Sequence, residues 1–273
     1  MTRPRTRGDG PASTHTPRKR FGQHFLHDPG VIRRIVATIA PQPGDRLVEI
    51  GPGEGAITFE LLRAAGRLDA VELDRDLVEP LRERSRGIGE LVVHSADALR
   101  FDFCALTAGA ERLRVVGNLP YNISTPLLFH LLDQSRCIRD MHFMLQKEVV
   151  ERMAAEPGGK DYGRLSVMLQ ARCAVIPLFT IGPGAFRPPP KVESAVVRLV
   201  PLARPPDIAD PVVFARLVAA AFAQRRKTLR NGLKGLLTAE AIAGLGVDPG
   251  TRAEQLGLDA FVRLANAACK AAP

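Results

Sequence analysis

Leu47-Val48-Glu49-Ile50 runs straight into Gly51-Pro52-Gly53-Glu54-Gly55, after which Ile57, Leu61 and Leu62 recur at helical spacing. A short apolar run, a glycine cluster and an amphipathic stretch open a strand-turn-helix unit, because glycine lets the backbone turn sharply and approach a ligand where the strand ends. The same alternation continues downstream. Strand patterns fall at 47–50, 68–73, 91–94, 113–117, 141–145, 171–176 and 194–200, with helical patterns near 54–65, 76–84, 125–133, 146–155 and 163–170. Such alternation predicts a doubly wound α/β fold around a mostly parallel, seven-stranded sheet.

Both ends depart from this pattern. Residues 1–20 are rich in Thr, Pro, Gly and Arg, with Asp9 as their single acid and no apolar periodicity, and read as a flexible basic arm. The proline-rich run 201–211 reads as a linker, and the Ala- and Leu-rich remainder carries no strand signal. A sheet domain over 21–203 and a small all-helical domain over 204–273 are therefore expected. The 38 Lys and Arg against 29 Asp and Glu leave a formal charge of +9, which favours a polyanionic partner. Cys104, Cys137, Cys173 and Cys269 form no C-x-x-C pair, so no metal is expected and all four read as reduced, buried thiols. No stretch approaches the ~18 apolar residues of a membrane span, and no signal-peptide core follows the Arg-rich start; a cytoplasmic protein that engages no membrane is expected.

The glycine loop also matches Gly51-x-Gly53-x-x-Ala56, a dinucleotide fingerprint. That spelling does not separate a nicotinamide cofactor from S-adenosylmethionine. Glu72, at the end of the second strand, suits both ribose hydroxyls in either case. Asp97, after the third, is placed either to accept from an adenine amino group or to cap the turn before Ala98. Asn118-Leu119-Pro120-Tyr121 decides between the cofactors, since open α/β sheets bind ligands beyond the carboxyl ends of their strands. An adenine amine is a poor nucleophile because its lone pair is spread into the ring. The Asn118 side-chain carbonyl and the Leu119 backbone carbonyl, stiffened by Pro120, can each accept an amine N–H and turn that lone pair toward a methyl donor. Tyr121 can stack on the base, and Phe186, in a loop stiffened by Pro188-Pro189-Pro190, is the candidate second ring, its alternative being to pack beneath that loop.

These residues make the chain resemble the KsgA (RsmA) family of small-subunit ribosomal RNA adenine dimethyltransferases, relatives of the Erm methylases. The resemblance runs from about Lys19 into the C-terminal domain and rests on Lys19-Arg20-Phe21-Gly22-Gln23-His24-Phe25-Leu26, the glycine loop, the stretch from Asn118 through Pro126, and Phe186 through Val197. It implies a seven-stranded, Rossmann-like S-adenosylmethionine-dependent methyltransferase sheet with a helical C-terminal domain. It also implies S-adenosylmethionine as donor and, as acceptors, two adjacent adenosines near the 3′ end of 16S rRNA in the small subunit or its precursor, each dimethylated late in subunit biogenesis. By resemblance, His24 and Leu26 join Gly51, Gly53, Glu72, Asp97 and Asn118 around the cofactor, His24 standing where the family often has Asn.

Arg225, Arg226, Lys227, Arg230 and Lys234 are the candidate RNA contacts. Arg226, Arg230 and Lys234 would share one helical face at four-residue spacing, opposite an apolar face of Leu229, Leu233 and Leu236. A solvated basic face is the alternative. A monomer is expected. The rival readings are an Erm-like enzyme acting on large-subunit rRNA, a ribosome-assembly factor whose binding outweighs its catalysis, and a nicotinamide dehydrogenase, for which no hydride-transfer acid is evident.

Overall fold

The computed structural model describes residues 24–107, 111–224 and 226–271. The basic arm, Lys19 to Gln23 of the first motif, and Arg225 lie outside them. The chain enters through a two-residue strand, β1 (Phe25–Leu26), and α1 (Pro29–Ile39), whose first amides are met by the Asp28 side chain. Then come β2 (Leu47–Ile50), α2 (Thr58–Ala65), β3 (Arg67–Glu72), α3 (Arg75–Ser85), β4 (Glu90–Ser95), β5 (Leu113–Asn118) and α4 (Ser124–Asp133). After them follow β6 (Ile138–Gln146), α5 (Lys147–Ala154), α6 (Arg164–Gln170), β7 (Cys173–Ile181), β8 (Phe186–Arg187) and β9 (Ser194–Pro201). The last segment is helical: α7 (Pro211–Phe222), α8 (Leu229–Gly232), α9 (Ala239–Gly244) and α10 (Leu258–Ala271).

Seven strands form one sheet in the order β4-β3-β2-β5-β6-β9-β7, parallel from β4 to β6, with β9 antiparallel to both of its neighbours. Burial on both faces explains why β2 reads as a continuous rather than alternating run: all four of its residues are buried. The chain leaves β2 for β3 on one side and returns as β5 on the other, so the ends of β2 and β5 flank a topological switch point. The seventh strand departs from expectation. Ala171 caps α6, and β7 extends to Ile181 as an edge strand, where Pro177 is tolerated beside a register irregularity. The two-residue β1 pairs with β8 as a separate ribbon that the sequence pattern did not announce.

At the opposite end of the sheet a buried ion cluster ties the strands together. Arg114 donates to Asp140 Oδ1 at 3.0 Å, to Asp45 Oδ2 at 2.7 Å and to the Ile39 carbonyl at 2.7 Å. Arg198 donates to the second Asp140 oxygen at 3.1 Å. His142 lies among these groups, and burial pushes it down to about 4. The expectation of four reduced cysteines needs correction: Cys104 and Cys137 form a disulfide, with Cα atoms 5.4 Å apart. The turns that follow β4 and α4 are non-local neighbours. Gln134 holds them together by accepting from the Phe103 N–H through its side chain, a proximity no spacing rule announces. Cys173 is a buried thiol, as expected.

The C-terminal helices share an apolar cluster with α6. Val167 and Ala171 pack with Phe214, Leu217, Leu233 and Phe261, and the Tyr162 hydroxyl donates to the Leu256 carbonyl at 2.9 Å.

Candidate active site

β2 and β5 end side by side, and their turns rise together. Gly51 and Gly53 take φ of +66° and +57°, a region costly for residues with a Cβ. A Cβ built on Gly51 would lie 3.9 Å from the Asn118 carbonyl oxygen, and one on Gly117 would lie 2.5 Å from the Ile50 carbonyl oxygen. The two turns therefore face each other in near contact.

Between them opens a cavity of about 350 Å³, within the range of small-molecule sites. His24, Gly51, Gly53, Glu72 and Asp97 line it, together with the whole Asn118-Leu119-Pro120-Tyr121 turn. Leu26 lines an adjoining recess that shares Gly51, Gly53 and Asn118 with the cavity. Thus every expected cofactor residue reaches one connected site.

Local bonds fix each polar group. The Glu72 oxygens accept from the Gly53 N–H at 3.2 Å and the Asp74 N–H at 2.8 Å. Burial nonetheless raises this carboxyl, with the two backbone donors pulling the other way. Asp97 accepts from the Leu99 N–H at 2.9 Å while lining the cavity, a local bond that leaves the carboxylate with spare lone pairs. Asn118 donates through Nδ2 to the His24 carbonyl at 3.0 Å. Since that neighbour can only accept, the nitrogen is the donor and Oδ1 is kept as an acceptor in a side chain that lines the cavity. Leu119 N–H is held by the Met144 carbonyl at 3.2 Å, which fixes the peptide between Asn118 and Leu119.

Tyr121 is pinned by a 2.8 Å hydrogen bond between its hydroxyl and the buried Ser194 hydroxyl. Burial raises its pKa, the Ser194 bond only partly opposing this. The phenol is thus neutral near pH 7. His24 stacks on it at 5.9 Å between ring centroids, and its Nδ1 lies 2.8 Å from the Pro188 carbonyl. The imidazole joins the N-terminal segment, the catalytic turn and the proline loop.

Phe186 is a correction. Its side chain is 2% exposed and packs with Leu26, Ile181, Ala185 and Met144, away from the cavity wall. Pairing of Leu26 with Phe186 in the β1–β8 ribbon holds the ring in this cluster, where full burial is worth about 1.5–3 kcal/mol. The alternative of packing beneath the loop therefore holds, and the aromatic partner of Tyr121 in the wall is His24. Three contributors escaped the sequence reading. Leu73, 51% exposed, lines the cavity together with Leu99 and adds apolar surface to it. Phe25 presses on the glycine loop so closely that a Cβ on Gly53 would lie 3.0 Å from its ring. Glu49 lines the recess, buried, with Oε2 lacking a partner. Only the last had a local signal, as an acid inside an otherwise apolar strand.

The basic residues also need correction. Arg226, Lys227, Arg230 and Lys234 are exposed, yet they do not share a helical face. α8 has four residues, with Arg226 in the turn before it and Lys234 in the turn after it. Thr228 bridges to Arg252, and Gly235 adopts φ +90°, so the chain is helical for only one turn between them. Leu229 and Leu233 are buried as expected, while Leu236 is half-buried.

A sequence model described as Ribosomal RNA adenine dimethylase matches residues 14–270. The chain belongs to that family. Ribosomal RNA small subunit methyltransferase A of Pseudomonas aeruginosa is 60% identical over 253 residues, covering 92% of this chain and 94% of its own. The protein of the same name from Methylococcus capsulatus is 60% identical over 250 residues, covering 92% and 97%. Among solved structures, a dimethyladenosine transferase from Plasmodium falciparum superposes with a TM-score of 0.73 at 25% identity, covering 88% of this chain and 96% of that one. The 23S rRNA methyltransferase ErmE gives 0.68 at 26% identity, covering 89% and 98%.

The protein is accordingly an S-adenosylmethionine-dependent rRNA methyltransferase of the adenine dimethylase family, and its own residues fit that cofactor. Two acids, Glu72 and Asp97, line the cavity, and the buried Glu49, whose Oε2 has no hydrogen-bond partner, lines the recess beside the glycine loop.

Proposed function

We propose that this enzyme dimethylates the N6 amines of two adjacent adenosines near the 3′ end of 16S rRNA, acting as a cytoplasmic monomer on the small subunit or its precursor. The observation that carries this reading is that the Gly51 and Asn118 turns line one cavity side by side, a Cβ built on Gly51 lying 3.9 Å from the Asn118 carbonyl oxygen, so that a donor on one turn and an acceptor on the other are within reach of direct transfer. Relatives 60% identical that are named for the small subunit favour it over the large-subunit alternative, represented by ErmE at 26%.

S-adenosylmethionine supplies a methyl group activated by its sulfonium. Everything else falls to the chain. Glu72 and Asp97 hold the donor's polar edges, while Leu73 and Leu99 cover a flat base. Asn118 Oδ1 and the Leu119 carbonyl would accept hydrogen bonds from the two amine N–H groups and aim the nitrogen lone pair; the proton that the nitrogen sheds as it gains the methyl group passes to solvent, so position and preorganised dipoles do the catalysis. Extruding the base costs a few kcal/mol, and stacking on an aromatic platform returns roughly 1–3 kcal/mol. Tyr121, anchored through Ser194, provides that platform without rearranging.

The test is to incubate unmethylated small subunits with methyl-labelled cofactor, digest the RNA and identify the nucleoside. Label on N6,N6-dimethyladenosine of the small-subunit RNA is expected; label on cytidine or guanosine alone, or only on large-subunit RNA, overturns the assignment. Arg226, Lys227, Arg230 and Lys234 are proposed to grip phosphates from their exposed turns, together with Arg225. Charge reversal at Arg226 and Arg230 should weaken subunit binding and lower the slope of log affinity against log salt by about one to two. An unchanged slope removes them from the interface.

A further inference from the structure

Cys104 and Cys137 stand 33 residues apart, and the bond between them encloses β5, the whole Asn118-Leu119-Pro120-Tyr121 turn and α4 in one covalent ring. Both walls of the cavity run into it. Asp97 and Leu99 line the cavity just upstream of Cys104, while Ile123, also in the lining, leads into α4 and so to Gln134 and Cys137. The two walls already meet at Gln134. Its side chain accepts from the Phe103 N–H at 2.7 Å and donates to the Phe101 carbonyl at 3.1 Å. Its backbone carbonyl lies 3.1 Å from the Cys137 sulfur and 3.5 Å from the Cys104 sulfur, so in a dithiol form either S–H can donate to it. The same backbone therefore suits the bonded and the reduced pair. Cys137 is 7% exposed and Cys104 half-buried, so Cys104 is the sulfur a small reagent reaches first. Cys173 is buried, and burial pushes its thiol up to about 12, which keeps it out of thiolate chemistry.

We propose that Cys104 and Cys137 are a reversible thiol–disulfide couple, exchanged with low-molecular-weight thiols through Cys104, and that closing the bond tightens the hold on the cofactor by stiffening the Asp97 and Leu99 wall against the catalytic turn. In closing, the Cys104 thiolate attacks one sulfur of a low-molecular-weight disulfide, forming a mixed disulfide and expelling one thiolate. Cys137 then attacks the Cys104 sulfur, forming the protein bond and expelling the second. The protein gives up two electrons and two protons, and the reagent leaves as two thiols. Opening is the reverse, with thiol in excess. In the cytoplasm proposed for this enzyme thiols are kept reduced, and disulfides formed there are characteristically transient and redox-responsive. A free wall loses motion when the cofactor enters, whereas a linked wall has lost it beforehand, so the closed form binds more tightly. The effect on affinity rests on reading the cavity as the cofactor site.

The full-length protein is equilibrated with reduced and oxidised glutathione over a range of ratios, quenched with an alkylating reagent and mapped by mass spectrometry. The pair should pass reversibly from free to bonded as the oxidised fraction increases. Cys137→Ser should accumulate the glutathione adduct on Cys104, and Cys104→Ser should leave Cys137 largely unmodified. Calorimetry with S-adenosylhomocysteine should show the bonded wild type binding at least about fivefold more tightly than the reduced one, with the double variant Cys104→Ser/Cys137→Ser matching the reduced protein in either buffer. A pair that stays reduced in oxidised glutathione alone or bonded in reduced glutathione alone, an adduct that forms on Cys137 instead, or equal affinity in the two states overturns the proposal. Should the serine variants fold poorly, the two states of the wild type decide by themselves. Failure of S-adenosylhomocysteine to bind in either state would instead overturn the cofactor-site reading.

Discussion

Replacing Asn118 by alanine lowers single-turnover methyl transfer by at least about 10² to 10³, the loss that follows removal of one preorganised polar contact to a reacting group, with a smaller effect on cofactor affinity. Two things go with the amide: the Oδ1 acceptor for the amine, and the Nδ2 clasp on the His24 carbonyl at 3.0 Å. Asn118→Asp separates them. It keeps an acceptor facing the amine but sets a carboxylate against the His24 carbonyl, so it should lose the clasp and misplace the N-terminal segment. Single-turnover rates on unmethylated subunits, read beside calorimetric cofactor affinity, check both variants; equal rates for wild type and Asn118→Ala would remove the residue from the chemistry. The alanine variant also addresses the assembly-factor alternative. Normal subunit maturation with a transfer-dead enzyme that still binds subunits, against impaired maturation without the protein, is what the assembly-factor alternative predicts; maturation that fails with the transfer-dead enzyme supports a role exerted through catalysis.

Arg114→Ala destabilises the fold by about 3–5 kcal/mol, because it leaves buried carboxylates without their cation. Asp140 and Asp45 lose a shared partner, and the Ile39 carbonyl loses its donor at 2.7 Å. Urea unfolding at neutral pH measures the effect, and a change below 1 kcal/mol would mean that the cluster contributes little. Its pH signature has a definite sign. Burial alone would raise Asp140 above its ordinary 3.8, but the Arg114 hydrogen bonds and the charges around it bring it below. Its contribution is therefore complete above the ordinary carboxylate range and is lost as pH falls through the lowered value. Acid unfolding of Asp140→Asn should accordingly show a shallower loss of stability below pH ~4 than the wild type.

The parts legible in the sequence are those encoded locally. The apolar run at Leu47 to Ile50, the glycines after it, and the Asn118 turn all lie within a few residues of one another, and topology alone carries them to a common end of the sheet. What the sequence concealed depends on partners far along the chain. The pairing of Leu26 with Phe186 spans most of the catalytic part, and it turns Phe186 into the core while bringing Phe25 onto Gly53. The bond between Cys104 and Cys137 likewise depends on two remote turns meeting at Gln134. Around Arg230 the four-residue spacing was genuine but insufficient, since the Thr228 bridge to Arg252 sets the backbone there. Glu49 was visible as a letter in a strand; that it is buried with Oε2 unpartnered depends on the packing of β1 and β6 around it.

The shared apolar packing between α6 and the C-terminal helices has a mechanical meaning. With Val167 and Ala171 wedged among Phe214, Leu217 and Leu233, and Tyr162 tied to Leu256, the basic turns and the Asn118 turn are fixed to one frame like the jaws of a caliper. If the basic turns hold RNA as proposed, such an instrument would select a nucleotide by its distance from the gripped stretch, and the letters flanking the target would not have to be read.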